Sequence, residues 1–322
     1  MISTNTIQHL KRLFRVHRKF VILSHVNPEP DTIGAALSLY HYLRSTGKQV
    51  SVYNADGVPG FMKFMPHAEV VTVRVPSDHF DVAVCVDAGS TDMLGKHFDR
   101  FKRQVTVNID HHRTNTLYGD LNIVDPDAAA ACELVFTLFR RAHITVDPTI
   151  AALLLAGIIY DTGSFRYRNT TRRTMKTAAE LMYRGADMAA ISEKLYENQS
   201  PGRLKLLNLV LGTLEISPDG KIASVELTKN MYKETGTTKE DSEGMIDYPK
   251  SIAGVAVAVL FREVSERTYK ISLRSKSDLN ISDVAETFGG GGHKNAAGCT
   301  MEGTLPDIKR RVLEKLRGRL HR

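Results

Sequence analysis

The chain has 322 residues, 42% of them hydrophobic and 25% charged, with a formal net charge of +7 and a pI near 9.2. This excludes a disordered polymer, favours polyanionic partners, and at ~100–200 residues per domain indicates two folded domains. Cys85, Cys132 and Cys299 are far apart and form no Cys-x-x-Cys pair, which excludes a disulfide framework or a thiolate zinc site and suits a cytoplasmic location. The longest apolar run, residues 150–159, is half of the ~20 residues that cross a bilayer, and the first seven residues lack a secretory pattern, so no membrane partner is expected.

In chain order, residues 20–24 read as a strand that delivers His25-Val26-Asn27-Pro28-Glu29-Pro30-Asp31 at its exit. The two prolines predict a shaped loop, with Asp31 placed to cap a helix over residues 32–45 that Gly47 ends. Residues 49–53 form the next strand. Residues 80–86 are almost continuously apolar, as in a central parallel strand covered on both faces, and end on Asp87. Residues 104–109, rich in β-branched side chains, predict another buried strand, and Asp110-His111-His112-Arg113 follows at its carboxyl end.

Helical periodicity covers residues 128–142 and 149–160, the second running into Asp161-Thr162-Gly163-Ser164-Phe165. Further helices are expected at 171–184, 188–196 and 204–214. Beyond them, Ser217-Pro218-Asp219-Gly220 is a hairpin turn, and residues 254–262 and 269–274 form a strand pair. The basic tail, from Lys309 to the end, reads as the solvated face of a terminal helix. The expected architecture is α/β: an N-terminal domain with a mainly parallel sheet flanked by helices (1–190), a helical connector (191–214) and a smaller C-terminal α/β domain with a mixed sheet (215–322).

The polar residues at the segment exits are His25, Glu29, Asp31, Asp87, Asp110, His111, His112 and Asp161. In open parallel sheets the carboxyl edge of the strands is where ligands bind. Carboxylates and imidazoles without thiolates suit Mn²⁺ or Mg²⁺, and the imidazole share favours manganese. There are more groups than one ion takes, which points to two divalent metals ~3.5–4 Å apart, as in many phosphatases and nucleases.

These residues resemble the DHH phosphoesterase superfamily, in the branch with a DHH-associated C-terminal domain, and within it the bacterial nanoRNases. The likeness is carried by residues 25–31 and 86–90, by Asp110-His111-His112, by residues 157–165 and by Phe288-Gly289-Gly290-Gly291-Gly292-His293. It implies one metal on His25, Glu29 and Asp87 and a second on Asp31, Asp87, His111 and Asp161, with Asp87 as the bridge. His112 would contact the scissile phosphate, and Asp110 would orient the site. Glu29 departs from the family pattern, which has Asp there, and reaches one methylene further.

In the second domain, Gly290, Gly291, Gly292 and His293 are expected to nest phosphate oxygens, with Arg262, Arg274 and Ser275 as further substrate contacts. The implied activity is Mn²⁺-dependent hydrolysis of very short RNA to mononucleotides and dephosphorylation of 3′-phosphoadenosine-5′-phosphate. A ligand gripped by metals at one end and by a second domain at the other must be short and carry two anionic sites. With 7% aromatic residues and no Trp, a long-strand exonuclease with stacking platforms is disfavoured. The alternatives are a cyclic di-AMP or linear pApA phosphodiesterase and, in another class, a non-catalytic nucleotide-binding protein. A homodimer is left open.

Overall fold

The computed structural model describes residues 2–77, 79–101, 104–276 and 279–320. It divides into two compact units, 1–198 and 199–322. The first unit contains α1 (Thr4–Val16), β1 (Lys19–Ser24), α2 (Pro30–Ser45), β2 (Gln49–Tyr53), β3 (Val71–Thr72), β4 (Val82–Val86), β5 (Val105–Asp110), β6 (Leu121–Val124), α3 (Ala131–Ala142), α4 (Pro148–Asp161), α5 (Arg172–Tyr183) and α6 (Met188–Tyr196). Its six strands run in the order β3-β2-β1-β4-β5-β6, all parallel.

The central strands are buried on both faces because alternate side chains feed two cores. Phe20, Ile22, Val82, Val84, Val107 and Ile109 enter the core under α2, α3 and α4, while Val21, Leu23, Ala83 and Cys85 pack with Phe80, Phe98 and Phe101. Parallel strands covered on both sides need this continuous apolar character. From β1 the chain works outward to β3 and then returns to β4 on the other side of β1, which makes the β1/β4 pair the topological switch point. The ends of these two strands carry His25 and Asp87, so the sheet order itself opens a crevice between them.

α4 is apolar on every side and is buried against α2, α3, α5 and α6. Two glycines permit this density. A Cβ on Gly34 would lie 2.5 Å from Leu153 O, and one on Gly157 would lie 2.4 Å from Cys132 Sγ and 2.8 Å from Asp31 Cα.

Three readings of local structure change. α2 begins at Pro30, not at residue 32: proline at the first helical position gives up an amide that has no intrahelical partner anyway, so it starts the helix. Asp31 therefore lies inside α2 and caps a different helix. α1, capped by Ser3 and burying Ile7, Leu10, Leu13 and Phe14, and the edge strand β6 carry amphipathic patterns that the sequence reading passed over.

The second unit holds α7 (Pro201–Leu211), β7 (Glu215–Ile216), β8 (Ile222–Leu227), α8 (Lys229–Thr235), α9 (Asp247–Ser251), β9 (Val257–Ser265), β10 (Thr268–Ser275), α10 (Ser282–Thr287), β11 (Gly291–His293), β12 (Ala296–Glu302) and α11 (Leu305–Leu320). Its sheet is mixed, in the order β11-β12-β10-β9-β8-β7. The helix read as a connector is α7. Its Leu206 and Val210 are buried with Val225, Leu227, Ala258 and Leu260, so it packs on one face of this sheet. The opposite face buries Val259, Phe261, Ile271 and Leu273 against α10 and α11. No described helix is long and apolar enough to cross a membrane.

Candidate metal centre

The exits of β1, β4 and β5 and the last residue of α4 converge. His111 Nε2 lies 3.4 Å from Asp87 Oδ1, 3.7 Å from Asp161 Oδ2 and 3.9 Å from Asp31 Oδ2. His25 Nε2 lies 3.2 Å from Asp87 Oδ2. Three overlapping sets have ligand atoms within 4.8 Å of one another: His25, Glu29 and Asp87; Asp31, His111 and Asp161; Asp87, His111 and His112. Asp87 belongs to two of them and is 1% exposed. Its backbone is left-handed, at φ 55°, a conformation that Asp and Asn tolerate better than other side chains.

Main-chain groups aim the side chains. His25 Nδ1 donates to Val26 O (2.6 Å) and His111 Nδ1 to Ala128 O (3.2 Å), so both rings turn Nε2 toward the carboxylates. A second-sphere carbonyl fixes a ligating imidazole in this way. Asp31 is pinned through both oxygens: Oδ2 accepts from Ala131 N (2.6 Å) and Oδ1 from Cys132 N (2.8 Å). These are the first amides of α3, whose own N-cap is Ala130, with no capping side chain. Asp31 supplies the cap from a hundred residues away.

The electrostatics of the cluster suit a cation. Burial and then the Asp87 charge push Glu29 up to about 7, and the same two causes raise Asp31. Burial and then Asp31 raise Asp161. Burial disfavours the Asp87 carboxylate too, yet the neighbouring His111 and His25 imidazoles outweigh it and hold Asp87 well below the usual range. Burial also opposes charge on His25 and His111, but Asp87 overcomes it, lifting His25 to about 9 and His111 well above its ordinary value. Asp87 Oδ1 is buried without a hydrogen-bond partner. Four carboxylates that repel one another at short range, one with an orphaned oxygen, fit divalent metal, which would relieve both costs.

The profile of the DHH family, N-terminal domain, matches residues 19–158, and that of the DHHA1 domain matches residues 219–321. The bifunctional oligoribonuclease and PAP phosphatase NrnA of Thermus thermophilus is 33% identical over 305 residues, covering 94% of this chain and 90% of its own. The chain belongs to the DHH family. A Bacillus subtilis protein with the same description is 26% identical over 296 residues, covering 91% and 92%. The crystal structure of an exopolyphosphatase-related protein from Bacteroides fragilis superposes with a TM-score of 0.94 at 30% identity, covering 99% of this chain and 97% of that one.

The motif that gives the DHH family its name is Asp110-His111-His112, and its first residue is in none of the three sets. Asp110 is fully buried; its Oδ1 accepts from His112 Nδ1 (2.7 Å) and its Oδ2 from Asn115 Nδ2 (2.5 Å). Asn115 Oδ1 accepts in turn from Asn108 Nδ2, which also donates to Asn122 Oδ1. Sequence reasoning missed Asn115 because a single Asn just past a loop is indistinguishable from an ordinary turn former. It also missed Thr32, whose hydroxyl donates to Asp87 Oδ2 and lies 2.5 Å from His25 Nε2.

In the second unit, Arg262 and Lys270 face each other across β9 and β10, and Arg274 lies on the same sheet face as Lys270. Burial and then Arg262 lower the Lys270 pKa. Lys270 is a cation of this face that the sequence reading did not single out. Ser275 points to the other face, 7% exposed, donating to Leu279 O (2.7 Å) and accepting from Asn295 Nδ2 (2.8 Å).

The glycine run is partly an edge strand, with Gly291, Gly292 and His293 paired to Gly298, Ala297 and Ala296. A Cβ on Gly290 would lie 2.1 Å from Gly298 O and one on Gly292 2.5 Å from Ala296 O, whereas one on Gly291 meets nothing. Glycine is thus demanded at 290 and 292 by close backbone packing. The His293 side chain lies outside what is described.

Proposed function

We propose that this chain is a two-metal phosphohydrolase that degrades very short RNA to mononucleotides and dephosphorylates 3′-phosphoadenosine-5′-phosphate. The observation that carries the reading is the convergence of Glu29, Asp31, Asp87 and Asp161 with His25 and His111 at the sheet's switch point. It is supported by the names of the relatives that align over nearly the whole chain. His25, Glu29 and Asp87 would hold one metal, and Asp31, Asp87, His111 and Asp161 the other. The mixed imidazole and carboxylate donor set supports manganese over magnesium. Bound there, the metals supply Lewis-acid polarisation of a phosphoryl oxygen and lower the pKa of water.

The protein's own groups do the rest. His112, held through Nδ1 by Asp110, contacts the scissile phosphate. Asp110 keeps that ring oriented, and Asn115 keeps Asp110 in place. In the second unit, Arg262 and Arg274 share one sheet face with Lys270 and would attract an anionic group. Three free, buried cysteines suit work in a reducing cytoplasm.

The test is a chromatographic assay of the purified chain with Mn²⁺, offering equimolar diribonucleotide, 3′-phosphoadenosine-5′-phosphate, linear pApA and cyclic di-AMP. Mononucleotides released fastest from linear RNA are expected. Turnover of cyclic di-AMP alone would replace this reading with a second-messenger phosphodiesterase, and no turnover would leave a binding protein.

A further inference from the structure

Residues 128–132, which lead from the loop after β6 into the first turn of α3, touch the metal centre through their main chain. Ala128 O accepts from His111 Nδ1 (3.2 Å). Ala131 N and Cys132 N hold both oxygens of Asp31 (2.6 and 2.8 Å). Ala129 O is bridged by Asn169 Nδ2 to Asp161 O, at 3.0 Å on each side. Two of the six proposed ligands therefore take their side-chain position from residues 128–132, and the main chain of a third is tied to them, although that stretch contains only alanine and one cysteine. Alanines supply no side chain to hold their own backbone, so something else must.

That something is Glu133. Its side chain is completely buried, and Oε2 accepts from Ala129 N at 2.6 Å. This is a capping box displaced by one residue: the third helical residue reaches back past the N-cap Ala130 to the amide before it, and Asp31 stands in for the missing N-cap side chain. Oε1 has no hydrogen-bond partner and lies 3.5 Å from Arg173 Nε. Arg173 also donates from Nη1 to Asp125 Oδ2 at 2.6 Å. Asp125 is joined by its own amide to Asp110 O and by its carbonyl to Ala128 N, both at 3.0 Å. The guanidinium fork thus clamps the segment at two places, next to Asp110 through Asp125 and at the helix start through Glu133.

We propose that Glu133, clamped by Arg173, is a positioning residue of the metal centre: it sets the 128–132 backbone that aims His111 and Asp31 and ties down the main chain of Asp161. The inference rests on the two-metal reading above. It gives a main-chain scaffold a side-chain anchor in the first turn of α3. Neither residue touches substrate or metal, so the effect of losing them passes through ligand geometry. Loss of such supporting contacts typically weakens metal affinity about 10–100-fold.

The experiment uses the full chain stripped of metal with a chelator, titrated with MnCl₂ by calorimetry, with the melting temperature of the metal-free protein and kcat and KM on a diribonucleotide measured alongside. Glu133→Ala is expected to weaken Mn²⁺ binding at least about tenfold and to lower kcat with KM within about twofold. Glu133→Gln keeps an acceptor for Ala129 N and should recover Mn²⁺ affinity to within about threefold of the unaltered chain. Arg173→Lys, at a side chain 36% exposed, keeps the charge but cannot span Glu133 and Asp125 together, and should shift Mn²⁺ affinity in the same direction by less. If Glu133→Ala does not fold, Arg173→Lys decides. A pure helix-capping role would lower the melting temperature and leave the Mn²⁺ affinity of the folded variants unchanged, which overturns the proposal. An unaltered chain that takes up no Mn²⁺ overturns instead the metal reading beneath it.

Discussion

Gly157→Ala places one methyl group where three elements meet beneath the metal centre. The added carbon would sit 2.4 Å from Cys132 Sγ on α3 and 2.8 Å from both Asp31 Cα and Asp31 Oδ1 on α2. Carbon contacts are comfortable at about 3.5–4.0 Å, so α2 and α4 must part by roughly 1 Å. Rotation of the Cys132 side chain cannot relieve this, because Asp31 Cα is backbone. Overpacking of this kind costs about 1–3 kcal/mol, and the better helix propensity of alanine offsets about 1 kcal/mol. The net destabilisation is about 0–2 kcal/mol, or up to roughly 8 °C in melting temperature for a unit of this size.

The effect on turnover should be larger than the effect on stability. Asp31 is the proposed ligand that moves, and a displacement of about 1 Å at a reacting centre costs on the order of 10²-fold. Differential scanning fluorimetry of the metal-free protein and a diribonucleotide assay at saturating Mn²⁺ read the two effects separately. The double variant Gly157→Ala, Cys132→Ala removes the sulfur contact but not the Asp31 contact, so it should regain stability and little activity. A Gly157→Ala protein that hydrolyses RNA at the unaltered rate would refute both the packing argument and the role of Asp31.

Two further perturbations address the site and the frame that carries it. Asp87→Asn should abolish hydrolysis with the circular dichroism spectrum retained, since Asn accepts the left-handed backbone at 87 and only the bridging charge is lost; an active, folded variant would rule out the bridge. Asp81 accepts from Arg18 N and Lys19 N, both at 2.9 Å, and these bonds lower its pKa. A folded-state pKa below the unfolded one stabilises above the ordinary carboxylate value of about 4, and that contribution is lost as pH falls through the folded pKa. The gap in melting temperature between the unaltered chain and Asp81→Asn should be present at pH 6 and close toward pH 3; a gap that widens on acidification would show the sign to be wrong.

The sequence by itself determined the strands and what lies at their ends. The apolar runs at β1, β4 and β5 are long and β-branched because both faces of a central parallel strand are buried, and each stops at the polar residues that convergence needs. His25, Asp87 and His111 are legible for that reason, Asp161 because it ends the apolar helix α4, and the hairpin at Ser217 to Gly220 because local turn chemistry suffices. Only the tertiary structure decided how distant segments serve one another. Asp31 looks like the cap of its own helix, yet α2 begins one residue earlier at Pro30 and the carboxylate caps α3. Glu133 looks like an unremarkable residue in the first turn of an amphipathic helix, and Arg173 like an exposed cation; their partnership spans forty residues of chain. The glycine strand in the second unit has the same origin, since what forbids a side chain at 290 and 292 is the backbone of β12. Periodicity and turn chemistry act over a few residues and can be read in order along a chain. Burial of a charge, or close approach of two backbones, depends on which segments the fold brings together.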